Sequence, residues 1–113
     1  MSRSGVEYLR HIQEEITYLL TTVKPLGRDG FLADETLKRA AVRSLSVMGE
    51  AAKKVPEEIT SAFEGVPWSR MAAMRDKLVH DYFGVDYEIV WDVIANELPQ
   101  LNQQTEEMLD QLG

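Results

Sequence analysis

The stretch Arg75-Asp76-Lys77-Leu78-Val79-His80-Asp81-Tyr82 places a guanidinium, an imidazole and a phenol at offsets 0, +5 and +7. A guanidinium holds a phosphate through paired N–H donors. An imidazole moves protons near neutral pH. If the helix carrying Arg75 simply continued, His80 would lie roughly 140° round it, while Tyr82 would return to the Arg75 face. Arg75 and His80 converge in two ways: the helix ends near His80 and the backbone turns, or a second copy brings its own His80 across a two-fold axis. Asp81, Gly84 and Asp86 are turn or cap residues and place an end about here. Asp76 and His80 are i,i+4 neighbours, so the carboxylate could orient one ring nitrogen and raise the basicity of the other. The same residues also describe a histidine that merely caps a helix beside an aspartate. What separates the readings is the placement of Arg75. Trp68, Met71/Ala72, Arg75, Leu78/Val79 and Tyr82 recur at helical spacing, which predicts Arg75 in the middle of an apolar stripe. A lone guanidinium is costly there unless it is paired or lines a cleft.

The rest of the chain limits what this cluster can do. Its 113 residues suit one domain with one core. No cysteine is present, and His11 and His80 are the two histidines, so a disulfide framework and a zinc site are not expected. No cofactor is implied. With no signal segment and no run of about 18 apolar residues, the chain reads as soluble, cytoplasmic and free of the membrane. A formal net charge of −7 argues against a general nucleic-acid coat protein. Between Trp68 and His80, however, Arg70, Arg75 and Lys77 face Asp76 alone, a positive island that could hold a phosphate. Solvated charges on a helix face are the alternative.

The elements that carry the cluster read as helices throughout. Val6, Leu9, Ile12, Ile16, Leu19/Leu20 and Val23 form an amphipathic stripe over about Ser4 to Val23. His11, flanked by Glu7 and Glu15, falls off it as a solvated residue. Lys24 to Gly30, with Pro25 and two glycines, reads as a connector. Asp34 caps the second helix, whose seam of Leu37, Ala41, Ser44, Met48, Ala51 and Val55 is rich in small residues and admits a close neighbour. Glu50 reads as a surface partner of Lys53 and Lys54. Pro56 stops that helix and suits the first turn of a short one through Phe63, and Pro67-Trp68 opens the helix carrying Arg75. Asp86 caps a last helix to about Leu112, burying Val90, Val93/Ile94, Leu101, Met108 and Leu112, with a kink near Leu98 because Pro99 cannot donate to Ala95. The fold expected is all-α, a bundle with four main helices.

The order of motifs adds a resemblance. Arg75-x-x-x-x-His80-x-Tyr82 is preceded by Met48-Gly49-Glu50-Ala51-Ala52, Val66-Pro67-Trp68 and Met74-Arg75-Asp76. It is followed by Tyr82-Phe83-Gly84-Val85-Asp86 and Ile89-Val90-Trp91. From the first helix to Pro99 this resembles the HepT-like branch of the HEPN superfamily. The resemblance implies a single domain over residues 1–113: an antiparallel, up-and-down bundle of four to five helices that forms a homodimer or a higher even-numbered oligomer. It implies a metal-independent endoribonuclease cleft lined by Arg75 and His80 of both subunits, with RNA as substrate. It further implies the toxin of a type VII toxin–antitoxin pair, neutralised when a minimal nucleotidyltransferase antitoxin transfers AMP to the motif's tyrosine, here Tyr82. Asp76 stands where relatives often have Asn; it would either orient His80 or weaken phosphate binding.

The chemistry of these residues fits that role. Metal-free RNA cleavage needs a base for the ribose 2′-hydroxyl, an acid for the leaving 5′-oxygen and a cation for the phosphorane-like transition state. Two His80 imidazoles and Arg75 could supply them. Tyr82 could contact phosphate or stack on a base, and an AMP on its phenol would put charge and bulk in the cleft. A different class of reading is a non-catalytic helical partner that presents a nucleotidyltransferase to its substrate, and a third makes His80 and Tyr82 bridges in a structural dimer.

Overall fold

In the computed structural model the first apolar stripe folds as its spacing requires: α1 (Arg3–Tyr18) runs on through a π-helical turn at Leu19–Val23 and buries Leu9, Ile12, Ile16, Leu19 and Val23 completely. Removing each such side chain from water stabilises the fold by about 1.5–3 kcal/mol. Residues 3–80 and 84–113 are described, residues 3, 4, 79 and 80 through their backbone alone. The expectations placed on Asp81, Tyr82 and Phe83 therefore lie outside the described residues. No helix among the described residues is long and apolar enough to cross a membrane.

The segment expected to be a plain connector is more ordered than its glycines suggest. A 3-10 turn at Lys24–Leu26 leads into α2 (Gly27–Ala33). The reason is tertiary. Phe31 is fully buried, with its ring centroid 5.8 Å from that of Trp91 and 6.5 Å from that of Tyr87. Arg28 also grips Glu88 with two donors. The hydrogen bond and charge of Glu88 raise the Arg28 pKa above its ordinary value.

Asp34 caps α3 (Glu35–Lys54), its carboxylate accepting from the Leu37 N–H at 2.9 Å. The small-residue seam is buried at Ala41, Ser44, Met48, Ala51 and Val55. Pro56 precedes a one-turn α4 (Glu57–Thr60), shorter than expected. A Cβ on Gly5 would stand 2.7 Å from Ile59 and 3.2 Å from Pro56, and the Leu19–Val23 turn also packs on α3. The start of α1 thus lies by the end of α3, and the two run antiparallel.

After α5 (Trp68–Ala72) and α6 (Met74–Leu78), β1 (Val79–His80) pairs antiparallel with β2 (Gly84–Val85), Val79 opposite Val85 and His80 opposite Gly84. Gly84 adopts φ +75°, a conformation open to glycine at little cost. Asp86 then caps α7 (Tyr87–Asp92), accepting from Glu88 N and Ile89 N at 3.1 and 3.2 Å. A second π-helical turn, Val93–Glu97, passes into α8 (Leu98–Leu112).

Both π turns end two residues before a proline. Lys24, ahead of Pro25, donates to Leu19 O, and Leu98, ahead of Pro99, donates to Val93 O, five residues back instead of four. A proline lacks the N–H and its ring crowds the carbonyl four residues earlier. Widening the preceding turn relieves that crowding and lets the helical path continue. The two turns pack on each other. Between α1 and α8, Thr105 is fully buried and donates to Gln13 or Leu101 O, while Gln13 Nε2 donates to Asn102 Oδ1 at 2.6 Å. The result is an all-α helical bundle with a two-residue-per-strand hairpin inserted beside Arg75.

Candidate functional site: a cationic groove

Arg75 is exposed, a correction to its expected place in the centre of an apolar stripe. The buried line on this segment passes through Met71, Met74 and Leu78 instead. Ala73, at φ −88° and ψ 2°, interrupts the helix between α5 and α6 in the sparsely used bridge region. Nothing local demands that break, because Ala72 and Ala73 are good helix formers. The packing partner is α3. At Gly49 an added Cβ would stand 2.9 Å from Met71 O and 3.6 Å from Ala72 O, so the glycine lets α3 come against the carbonyl end of α5. The close approach is made by Gly49, within Met48-Gly49-Glu50-Ala51-Ala52, one position off the small-residue seam at Met48.

The guanidinium lines a cleft although it is not buried. Arg75 borders a groove of about 490 Å³ whose other walls are α1 and the outer face of α3. Tyr8 and His11 come from α1; Arg43, Val47, Glu50, Ala51 and Lys54 come from α3. Arg43, Glu50 and Lys54 fall within roughly 40° of one another on the helix and span about 16 Å of its axis. Glu50 is drawn to Lys53 at 3.4 Å, as its spacing predicted. Three cations therefore border a groove in a chain whose net charge is −7. Among the described residues no ion pair holds Arg43, Lys54 or Arg75.

The positive island is divided. Arg70 turns to the other side of the segment, where its Nη2 lies 2.8 Å from Glu97 Oε1. The second oxygen of Glu97 is buried without a partner among the described residues. Asp76 and Lys77 are exposed, and neither lines the groove with Arg75.

His80 follows α6 directly, on β1. Because α6 stops at Leu78 and His80 lies on β1, Asp76 and His80 are not one turn apart on a helix. Asp86 N donates to Leu78 O at 2.9 Å, closing the hairpin against the end of α6. The backbone thus turns just before His80, one of the two routes by which Arg75 and His80 can converge. Sequence reasoning missed Tyr8, His11, Arg43 and Lys54 as groove residues. A second periodicity on α3, with Arg43, Val47, Glu50 and Lys54 at i, i+4, i+7 and i+11, was the available signal.

Chemically, this site offers paired donors for a phosphate, a phenol ring, an apolar floor and an imidazole from His11, with His80 on the next element after Arg75. A family model described as Ribonuclease HepT-like matches residues 8–108. The chain is 46% identical over 102 residues to "Putative RNase TTE0752" of Caldanaerobacter subterraneus subsp. tengcongensis, covering 90% of this chain and 91% of that one. It is 35% identical over 108 residues to "Probable ribonuclease HepT" of Thermococcus cleftensis, covering 96% and 98%. No solved structure gives a significant match.

Proposed function

The chain belongs to the HepT-like ribonuclease family, and from that premise we propose that it is a metal-independent endoribonuclease with Arg75 and His80 as its catalytic pair. The observation that carries the reading is Arg75 standing exposed on a cationic groove of an acidic chain, on the element directly before His80. An imidazole takes the ribose 2′-hydroxyl proton as the 2′-oxygen attacks phosphorus. The bond to the 5′-oxygen breaks, and a second imidazole protonates that leaving group. The products are a 2′,3′-cyclic phosphate and a 5′-hydroxyl. Arg75 neutralises the charge that builds on the non-bridging oxygens. One His80 from each copy of a homodimer supplies the base and the acid.

The wider setting belongs to the same proposal. The protein acts as a toxin paired with a minimal nucleotidyltransferase antitoxin, which transfers AMP from ATP to the Tyr82 phenol and releases pyrophosphate. The charge of −7 favours the rival reading, a non-catalytic partner of such a nucleotidyltransferase. Induced expression without the partner gene separates them. The parent arrests growth and degrades RNA and His80→Ala does neither; soluble, folded protein that causes no arrest would move the assignment to the binding partner.

A further inference from the structure

We infer that the groove over α1 and α3 is the binding track for the single-stranded RNA beside the scissile bond, with Arg43 and Lys54 holding its phosphates and Tyr8 taking a base. This rests on the ribonuclease reading and extends it to residues more than twenty positions from the Arg75 and His80 motif.

Charge carries the first step. Phosphates dominate the affinity of proteins for nucleic acid, and the groove gathers Arg43, Lys54 and Arg75 while its one carboxylate, Glu50, leans to Lys53. The α3 cations are separated by about 16 Å along the helix, long enough to meet more than one phosphate on a strand that also reaches Arg75. The lining carries the second step. Val47 and Ala51 give the groove an apolar floor, and Tyr8 is half-buried against the core, so its ring is held for stacking on an unpaired base. A duplex keeps its base faces stacked inside, which favours a single strand. The homodimer that brings Arg75 and His80 of both copies to one cleft leaves the groove to be filled by something other than direct contact between copies. Across a two-fold axis, groove facing groove would set Arg43, Lys54 and Arg75 against their own images, and an intervening polyanion removes that repulsion.

The test measures fluorescence anisotropy of a short labelled single-stranded RNA with the full chain carrying His80→Ala, which stops turnover. In that background Arg43→Gln/Lys54→Gln raises Kd by about tenfold or more and reduces the slope of log K against log salt by about 1.4, the value for two phosphate contacts on a single strand. Tyr8→Leu raises Kd by about tenfold. Lys24→Gln/Arg70→Gln removes the same net charge elsewhere and leaves both quantities unchanged. With His80 intact, the groove variants raise KM for RNA and leave kcat within about twofold. Circular dichroism checks the fold of each variant; Tyr8, Lys24, Arg43, Lys54 and Arg70 are all at least partly exposed. If the parent binds and cleaves RNA and the groove variants match the Lys24/Arg70 control in Kd and slope, the track is overturned alone. If the parent neither binds nor cleaves RNA, the ribonuclease reading falls and the track with it.

Discussion

Arg70 and Arg75 lie five residues apart on consecutive short helices, yet they face opposite surroundings. Arg70 borders a pocket of about 280 Å³ between α5 and α8 and is neutralised there by Glu97. Arg75 borders the larger groove over α1 and α3, beside Arg43 and Lys54. The two arginines share a residue type and a local sequence, so the difference comes from the elements packed on either side. α8 brings a carboxylate to one, and α3 brings more cations to the other. An anionic substrate has one welcoming side on this segment.

The strongest way to break that comparison is through activity. Arg75→Ala and His80→Ala are each expected to lower kcat/KM for RNA cleavage by about 10²–10⁴-fold, while Arg70→Ala stays near the parent. Equal losses at Arg70 and Arg75 would show that the two sides do not differ in function. Next in size is Gly49→Ala. Its methyl meets a backbone carbonyl that cannot swing away, so the variant should lose about 1–3 kcal/mol in denaturant unfolding. It should also lose activity, as α5 and α6 are pushed off α3.

Asp86→Ala comes third. It removes the side chain that caps α7 immediately after the hairpin carrying His80, at a cost of about 1 kcal/mol, read from the thermal midpoint. Glu97→Gln should have the smallest effect, under about 1 kcal/mol, because Arg70 is 56% exposed and solvent screens the pair. That variant sharpens the comparison: RNA affinity should stay the same although Arg70 has lost its counter-charge, because a lone cation there lacks the companions that α3 supplies to Arg75.

How far the fold could be read from sequence follows from where the information sits. The α1 stripe and the Asp34 and Asp86 caps are local, set by spacing and by one side chain acting on its own backbone. They came through. The break at Ala73 did not, since Ala72-Ala73 favours helix and nothing in the local sequence marks it. Helix α2 was hidden behind Gly27 and Gly30 because Phe31 packs on Trp91 and Tyr87, which lie far along the chain. The groove was the least legible part. His11, Arg43 and Lys54 are each ordinary solvated residues on their own helices, and only the packing of α1, α3 and α6 brings them to Arg75. His11 in particular, read as a bystander, lines the groove with Arg75.

The most direct test of the central claim is cleavage of a defined single-stranded RNA by the purified chain in excess EDTA, with the new ends identified by mass spectrometry. The account predicts 2′,3′-cyclic phosphate and 5′-hydroxyl ends from the parent and none from His80→Ala or Arg75→Ala. Cleavage that vanishes with EDTA, or that survives both substitutions, would contradict it.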